Sequence, residues 1–227
     1  MKKRTAFIGA ILSLIPLGQP LIIKTGVVLS TSGLMLSIPE NVFAKNAKYY
    51  FKSAYKKAEK GDYYGAISDY TQAIKLNPNY ADAYYNRGYA KNELKDYYGA
   101  ISDYTKAIKI DPKDASSYYN RGHAKDELKD YYGAISDYNK AIELDPKFEN
   151  AYINRGIAKR NLEDYYGAIS DYNKAIEIDP LDKDSFINRS IAKENIGDIK
   201  GACLDAKKAV SLGDKEPENQ TWINKNC

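Results

Sequence analysis

The side chains that could carry chemistry in this chain are few, and most recur at one interval. Histidine occurs once, as His123, and cysteine twice, as Cys203 and Cys227. A closed zinc site needs four nitrogen or sulfur ligands, so a protein-built zinc site is all but excluded and no metal or other cofactor is expected. A Ser-His-Asp or Cys-His catalyst would have to use His123. That residue stands in register with Tyr89 of the preceding repeated segment, which marks it as a contact residue rather than a base. Neither a phosphate-cradling loop nor a nucleophile with a partner base is visible, so no enzyme is expected.

Two further sets of residues recur. Asn86, Asn120, Asn154 and Asn188 stand 34 residues apart. A carboxamide has one acceptor and two donors, the complement of a peptide group. Arg87, Arg121, Arg155 and Arg189 keep the same interval, as do Asp69, Asp103, Asp137, Asp171 and Asp205. Guanidinium and carboxylate can join by two parallel hydrogen bonds. Each Arg is expected to pair with the Asp of the preceding segment, as Arg87 with Asp69. The reason is that only the first segment lacks the Arg, having Ser53, and only the first has no predecessor. Pairing within one segment is the alternative.

The interval reflects one unit repeated. Asp-Tyr-Tyr-Gly-Ala-Ile-Ser-Asp-Tyr occurs at 62–70, 96–104, 130–138 and 164–172, and Pro78, Pro112, Pro146 and Pro180 keep step. The units are 47–80, 81–114, 115–148, 149–182 and 183–216. In the second, Tyr97, Ala100, Ile101, Tyr104, Ala107 and Ile108 are spaced three and four apart, as one face of a helix requires. Asp96 sits where an N-cap belongs. Asp111-Pro112 ends the helix, because Pro cannot continue it. Ala83, Tyr84, Gly88, Lys91 and Leu94 mark an earlier helix in the same unit. Each unit therefore reads as two helices joined by a short turn.

This pattern resembles the tetratricopeptide repeat family, in an exported bacterial, cyanobacterial-like form. The family has an aromatic at repeat position 4, Gly or Ala at 8, Ala at 20, an aromatic at 24, Ala at 27 and Pro at 32. The second unit supplies Tyr84, Gly88, Ala100, Tyr104, Ala107 and Pro112. Units one, three and four match equally, and unit five keeps Phe186, Ser190, Ala202 and Ala209 but has Ala206 at 24 and Asp214 at 32. The resemblance implies an all-α, right-handed superhelical solenoid whose first helices line a concave groove. It also implies that position 6 faces the groove: Asn86, Asn120, Asn154 and Asn188, with Lys52 in unit one. Peptide binders of the family grip ligand backbone with such asparagines. Tyr85, Tyr119, Tyr89 and His123 would join them, so the implied partner is a peptide or protein segment.

Charge and termini complete the reading. The chain has 227 residues, 34 basic and 30 acidic, for a net +4. Residues 1–44 hold Lys2, Lys3, Arg4 and Lys24 against Glu40, leaving +1 for residues 45–227. Such a body lacks the basic footprint of a nucleic-acid binder. Lys2-Lys-Arg4 followed by apolar runs reads as an export signal, cleaved after Ala44. A retained anchor, with membrane association through residues 5–38, is the alternative. The chain is thus expected in a periplasm or lumen. Residues 217–227 read as a capping helix in which Trp222 and Ile223 cover the open edge of unit five. In an exported chain Cys203 and Cys227 are expected to form a disulfide, with two free thiols as the alternative. Tyr64, Tyr98, Tyr132 and Tyr166, at position 18, are expected to lie over the adjoining Gly and fill a notch between units. A partner or self-association surface is the other reading of that row. The leading function is a peptide- or protein-binding scaffold, with a self-associating structural module as the alternative.

Overall fold

The computed structural model describes residues 46–227 and, before them, three short strands. These are β1 (Leu21–Ile22), β2 (Val27–Leu29) and β3 (Met35–Ser37), paired antiparallel in the order β1-β2-β3. Leu21 stands opposite Leu29, and Val28 opposite Leu36. The sequence reading placed no strands in this stretch. The expected leader or anchor at 1–44, its cleavage after Ala44 and membrane association through 5–38 otherwise lie outside the described residues. No helix among the described residues is long and apolar enough to cross a membrane. The chain divides into Met1–Lys45 and Asn46–Cys227.

The second part is all helix. Five pairs follow one another: α1 (Ala47–Ala58) and α2 (Tyr63–Leu76), α3 (Ala81–Glu93) and α4 (Tyr97–Ile110), α5 (Ala115–Glu127) and α6 (Tyr131–Leu144), α7 (Glu149–Asn161) and α8 (Tyr165–Ile178), α9 (Lys183–Asn195) and α10 (Ile199–Ser211). A shorter helix, α11 (Pro217–Asn226), closes the stack. Each second helix starts on an aspartate cap: the Asp62, Asp96, Asp130, Asp164 and Asp198 carboxylates accept from the backbone N–H three residues on. That third residue is always Gly, and a Cβ added there would lie 2.1 Å from the capping carboxylate. So the glycine serves the cap.

Small residues let the helices of a pair approach. Tyr70, Tyr104, Tyr138 and Tyr172, at position 24, are fully buried among Ala66, Ala100, Ala134 and Ala168 and their neighbours. The ring of Tyr104 presses against Gly88, where a Cβ would come within 2.9 Å of it, and Tyr138 and Tyr172 press on Gly122 and Gly156 in the same way. Each first helix packs on its own second helix and each second helix on the next first helix. First helices of adjacent units also touch, whereas no two second helices come within 8 Å between Cα atoms. The stack therefore curves with the first helices on its inner face.

The recurrent Arg and Asp do pair, but inside one unit, which corrects the expectation for Arg87 and Asp69. Arg87 donates through Nε and Nη2 to both oxygens of Asp103, at 2.9 and 2.6 Å. Arg121 with Asp137, Arg155 with Asp171 and Arg189 with Asp205 repeat this fork. A lysine one turn on, such as Lys91 or Lys125, reaches the same carboxylate at 2.7 Å. The guanidinium also lies over the position-4 ring, with Arg87 5.6 Å from the Tyr84 centroid. The cross-unit contact comes from the third nitrogen: Arg87 Nη1 donates to Thr71 of the preceding unit at 3.0 Å, and Arg155 Nη1 to Asn139 at 2.6 Å. Unit one has no predecessor, and there Ser53 Oγ donates to Asp69 instead.

At the far end, Ile223 of α11 is buried and Trp222 half-buried, with its indole N–H donated to Glu194 at 2.8 Å. Cys203 of α10 and Cys227 are joined by a disulfide that ties the end of α11 to unit five.

Candidate functional site

The inner face is built from one stripe of each first helix. Asn120 on α5 donates its amide N–H to Tyr85 Oη of the preceding unit at 2.9 Å and to the Ser116 carbonyl at 3.0 Å. Asn154 on α7 does the same to Tyr119 Oη, at 2.9 Å. In the fourth unit position 5 has become Ile153, so no phenol reaches Asn188 of the fifth. Arg160 donates to Asn188 Oδ1 instead, at 3.3 Å. Asn86 uses its N–H on the Asp82 carbonyl at 2.7 Å. Asn120 and Asn154 thus link neighbouring units through their N–H groups, and Asn86, Asn120 and Asn154 keep Oδ1 as a further acceptor.

Tyr85 and Tyr119 are half-buried, packed against Tyr104 and Tyr138 with ring centroids 5.8 Å apart. Burial raises both phenol pKa values above the ordinary one, and the asparagine bonds partly offset that. These two rings therefore form the floor. The more open contacts are Tyr89 and Ile191, both exposed, and His123 and Ile157, both half-exposed, at position 9. His123 Nε2 is 3.9 Å from Glu127 Oε1, one turn along the same helix. Lys52 is exposed on α1. Among the described residues no three His, Cys, Asp or Glu side chains are grouped to hold a metal.

Beneath the row lie buried polar atoms that sequence reasoning missed. Tyr104 Oη, Asn92 Oδ1, Tyr138 Oη and Asp126 Oδ1 are buried without a hydrogen-bond partner in the protein. Buried polar groups normally find water or a ligand. The signal available in the sequence was the polar residue at position 12, Asn92 or Asp126, in register with the buried Tyr. Burial raises the Asp126 carboxyl above the ordinary carboxylate range, and His123 pulls it back in part. A raised carboxyl pKa means that the charged form opposes folding. Its favourable contribution is present below the ordinary range and is lost as pH rises through the raised value. Asp126→Asn is therefore expected to raise the melting temperature at neutral pH and to change little in acid, as calorimetry across pH will show. Unit two already carries Asn92 there.

A second surface departs from expectation. Tyr64, Tyr98, Tyr132 and Tyr166 are 74–77% exposed and fill no notch. The adjoining Gly is taken up by the aspartate cap, so the ring projects into solvent at the start of each second helix. Ser68, Ser102, Ser136 and Ser170, one turn on, are exposed too.

Known proteins agree with this architecture. A family model described as TPR repeat matches residues 54–94, and one described as tetratricopeptide repeat matches 81–114, 115–148 and 149–181. No curated protein sequence matches the chain. Among solved structures, a crystal structure of MamA superposes with a TM-score of 0.69 at 27% identity, covering 73% of this chain and 96% of that one. MamA from Desulfovibrio magneticus gives 0.72 at 20% identity, covering 78% and 99%. YrrB, described as a TPR protein with an unusual peptide-binding site, gives 0.68 at 21% identity, covering 78% and 91%. Helix pairs at a 34-residue interval, the buried Tyr against Gly and the matched models together place this chain in the tetratricopeptide repeat family.

Proposed function

We propose that residues 46–227 are a non-catalytic protein-interaction scaffold that holds an extended segment of a partner chain along the inner face. The observation that carries this is the stripe itself: Tyr89 and Ile191 exposed, and His123 and Ile157 half-exposed, beside a row of asparagine Oδ1 acceptors. Exposed aromatic and aliphatic side chains give contact area, and carboxamide oxygens meet peptide N–H groups. With helices packed about 9–10 Å apart, four asparagines span roughly 30 Å, the length of about nine extended residues. Likeness in fold to a protein described as having a peptide-binding site supports the reading. The scaffold acts outside the cytoplasm, in assembling an envelope or membrane complex. Support for that location is the Lys2-Lys-Arg4 start with its apolar runs and a disulfide suited to an oxidising compartment.

The test is photocrosslinking in the source cells. Benzoylphenylalanine at position 89 or 157 is expected to capture a protein of defined mass, whereas the same group at position 140, on the outer side, captures none. Adducts from position 140 alone, or from none of the three, would contradict the inner-face assignment. Self-association is the second reading, favoured by the exposed row of Tyr64, Tyr98, Tyr132 and Tyr166. It requires a light-scattering mass that rises with concentration.

A further inference from the structure

Position 24 is a fully buried Tyr in four units and Ala206 in the fifth. Where the ring is missing, a cleft of about 180 Å³ opens between α9, α10 and α11. Apolar cavities of about 150 Å³ are large enough to take up benzene. Ala206 and Ala209 form the floor, and Ile187, Ile191 and Trp222 contribute to its walls. The Trp222 ring is held in place by its bond to Glu194 and by the disulfide at the end of its helix. The polar lining is one-sided in charge: Glu194, Asp214 and Glu218 all border the cleft, and no basic side chain does. Asp214 is buried and already accepts from Asn219 Nδ2 at 2.8 Å, whereas Glu194 and Glu218 are exposed at the mouth.

We infer that this cleft binds an organic ammonium ion, its apolar group seated on Ala206 in the place of the missing tyrosine and its charge between Glu194 and Glu218. A bare cation would leave the apolar walls unused, and a neutral hydrocarbon would leave the carboxylates unmet. An indole face attracts cations as well. That arrangement fits a free arylalkylamine; a partner's lysine carries its ammonium at the tip and would bring the charge, not an apolar group, onto Ala206. Sequence alone hides the site, because Ala206 reads as a lapse in the repeat pattern. Ser190 belongs to the same change: it stands where three units have Gly against the Tyr ring, and its Oγ donates to the Ala202 carbonyl at 2.9 Å.

Trp222 is the only tryptophan, so its emission reports on the cleft in the full chain. Two probes distinguish the occupants: phenethylammonium chloride for a free amine, and acetyl-Ala-Lys-Ala-amide for a lysine side chain. A saturable change with phenethylammonium supports the inference, and one with the peptide alone overturns it. The neutral isostere 2-phenylethanol is expected to bind at least about tenfold more weakly than phenethylammonium, since each tenfold reflects one well-placed charged contact. Glu218→Gln should weaken the ammonium several-fold with the fold intact. Ala206→Tyr combined with Ser190→Gly restores the pattern of the other units and should abolish the response. Silence from both probes overturns the inference. So does equal binding of alcohol and ammonium, or an unchanged response in Glu218→Gln.

Discussion

Asp137→Ala is expected to cost about 3–5 kcal/mol of unfolding free energy, the loss seen when one partner leaves a buried ion pair. Asp137 is almost wholly buried and holds two cations, Arg121 through a fork and Lys125 at 2.7 Å. Its removal leaves both charges facing a space without an acceptor. Arg121 then also loses the orientation that lets Nη1 reach Thr105 of the preceding unit at 3.1 Å. Contact between units is what makes a repeat stack unfold together, so the transition should broaden as well as shift. The control is Lys140→Ala, which removes a surface pair with Glu143 and should change stability by less than about 1 kcal/mol. Urea unfolding of the full chain decides the matter. A cost for Asp137→Ala no larger than the control would mean that the hub is ornamental.

Tyr138 gives the second large effect, and it splits in two. Tyr138→Ala removes a fully buried ring from between Ala134 and Gly122. The expected cost is about 3–5 kcal/mol for an aromatic deleted from a core that relaxes only in part. Tyr138→Phe is a different experiment. The hydroxyl is buried with no hydrogen bond of ordinary length from the protein; burial drives its pKa upward, and the Asn154 amide offsets that in part. Removing a buried polar group so weakly met is expected to be neutral or mildly stabilising. If Phe cost as much as Ala, the hydroxyl would be held by a group other than those described, and the orphan row under the groove would need another account.

The Arg–Asp pairing misled because two partners stand at similar distances along the chain. Position 7 lies 16 residues before one Asp and 18 after another, and spacing along the chain does not choose between them. The hairpin does: its chain reverses at position 15, where Gly61, Lys95, Lys129, Glu163 and Gly197 take positive φ. An antiparallel pair turning there sets position 7 beside position 23 of the same unit. The clue that unit one lacks the Arg was sound, but the partner lost with the predecessor is Thr71-type, at position 25. The Tyr64 row failed for a local reason. Glycine beside an aromatic suggested room for the ring, whereas the room was already occupied by the Asp62-type cap.

Other features were legible because one physical rule fixes each. The helix starts follow from aspartate before a periodic run, the ends from proline, and the buried face from spacing of three and four. The register of Asn86, Asn120, Asn154 and Asn188 on the first helices followed from the repeat. Their bonds to Tyr85 and Tyr119 did not, because they join residues 35 apart across an interface between units. Nor did the cleft at Ala206, which exists only where α11 closes over a missing ring.

The central claim is that the inner face holds a partner chain, and calorimetric titration tests it most directly. The segment captured from positions 89 and 157 would be made as a peptide and titrated into the full chain, into Ile157→Glu and into Ser136→Glu. Ile157 is half-exposed on the inner stripe and Ser136 exposed on a second helix. The account predicts at least about a tenfold loss of affinity, some 1.4 kcal/mol, for Ile157→Glu and none for Ser136→Glu. Loss confined to Ser136→Glu, or equal binding by all three proteins, would contradict it.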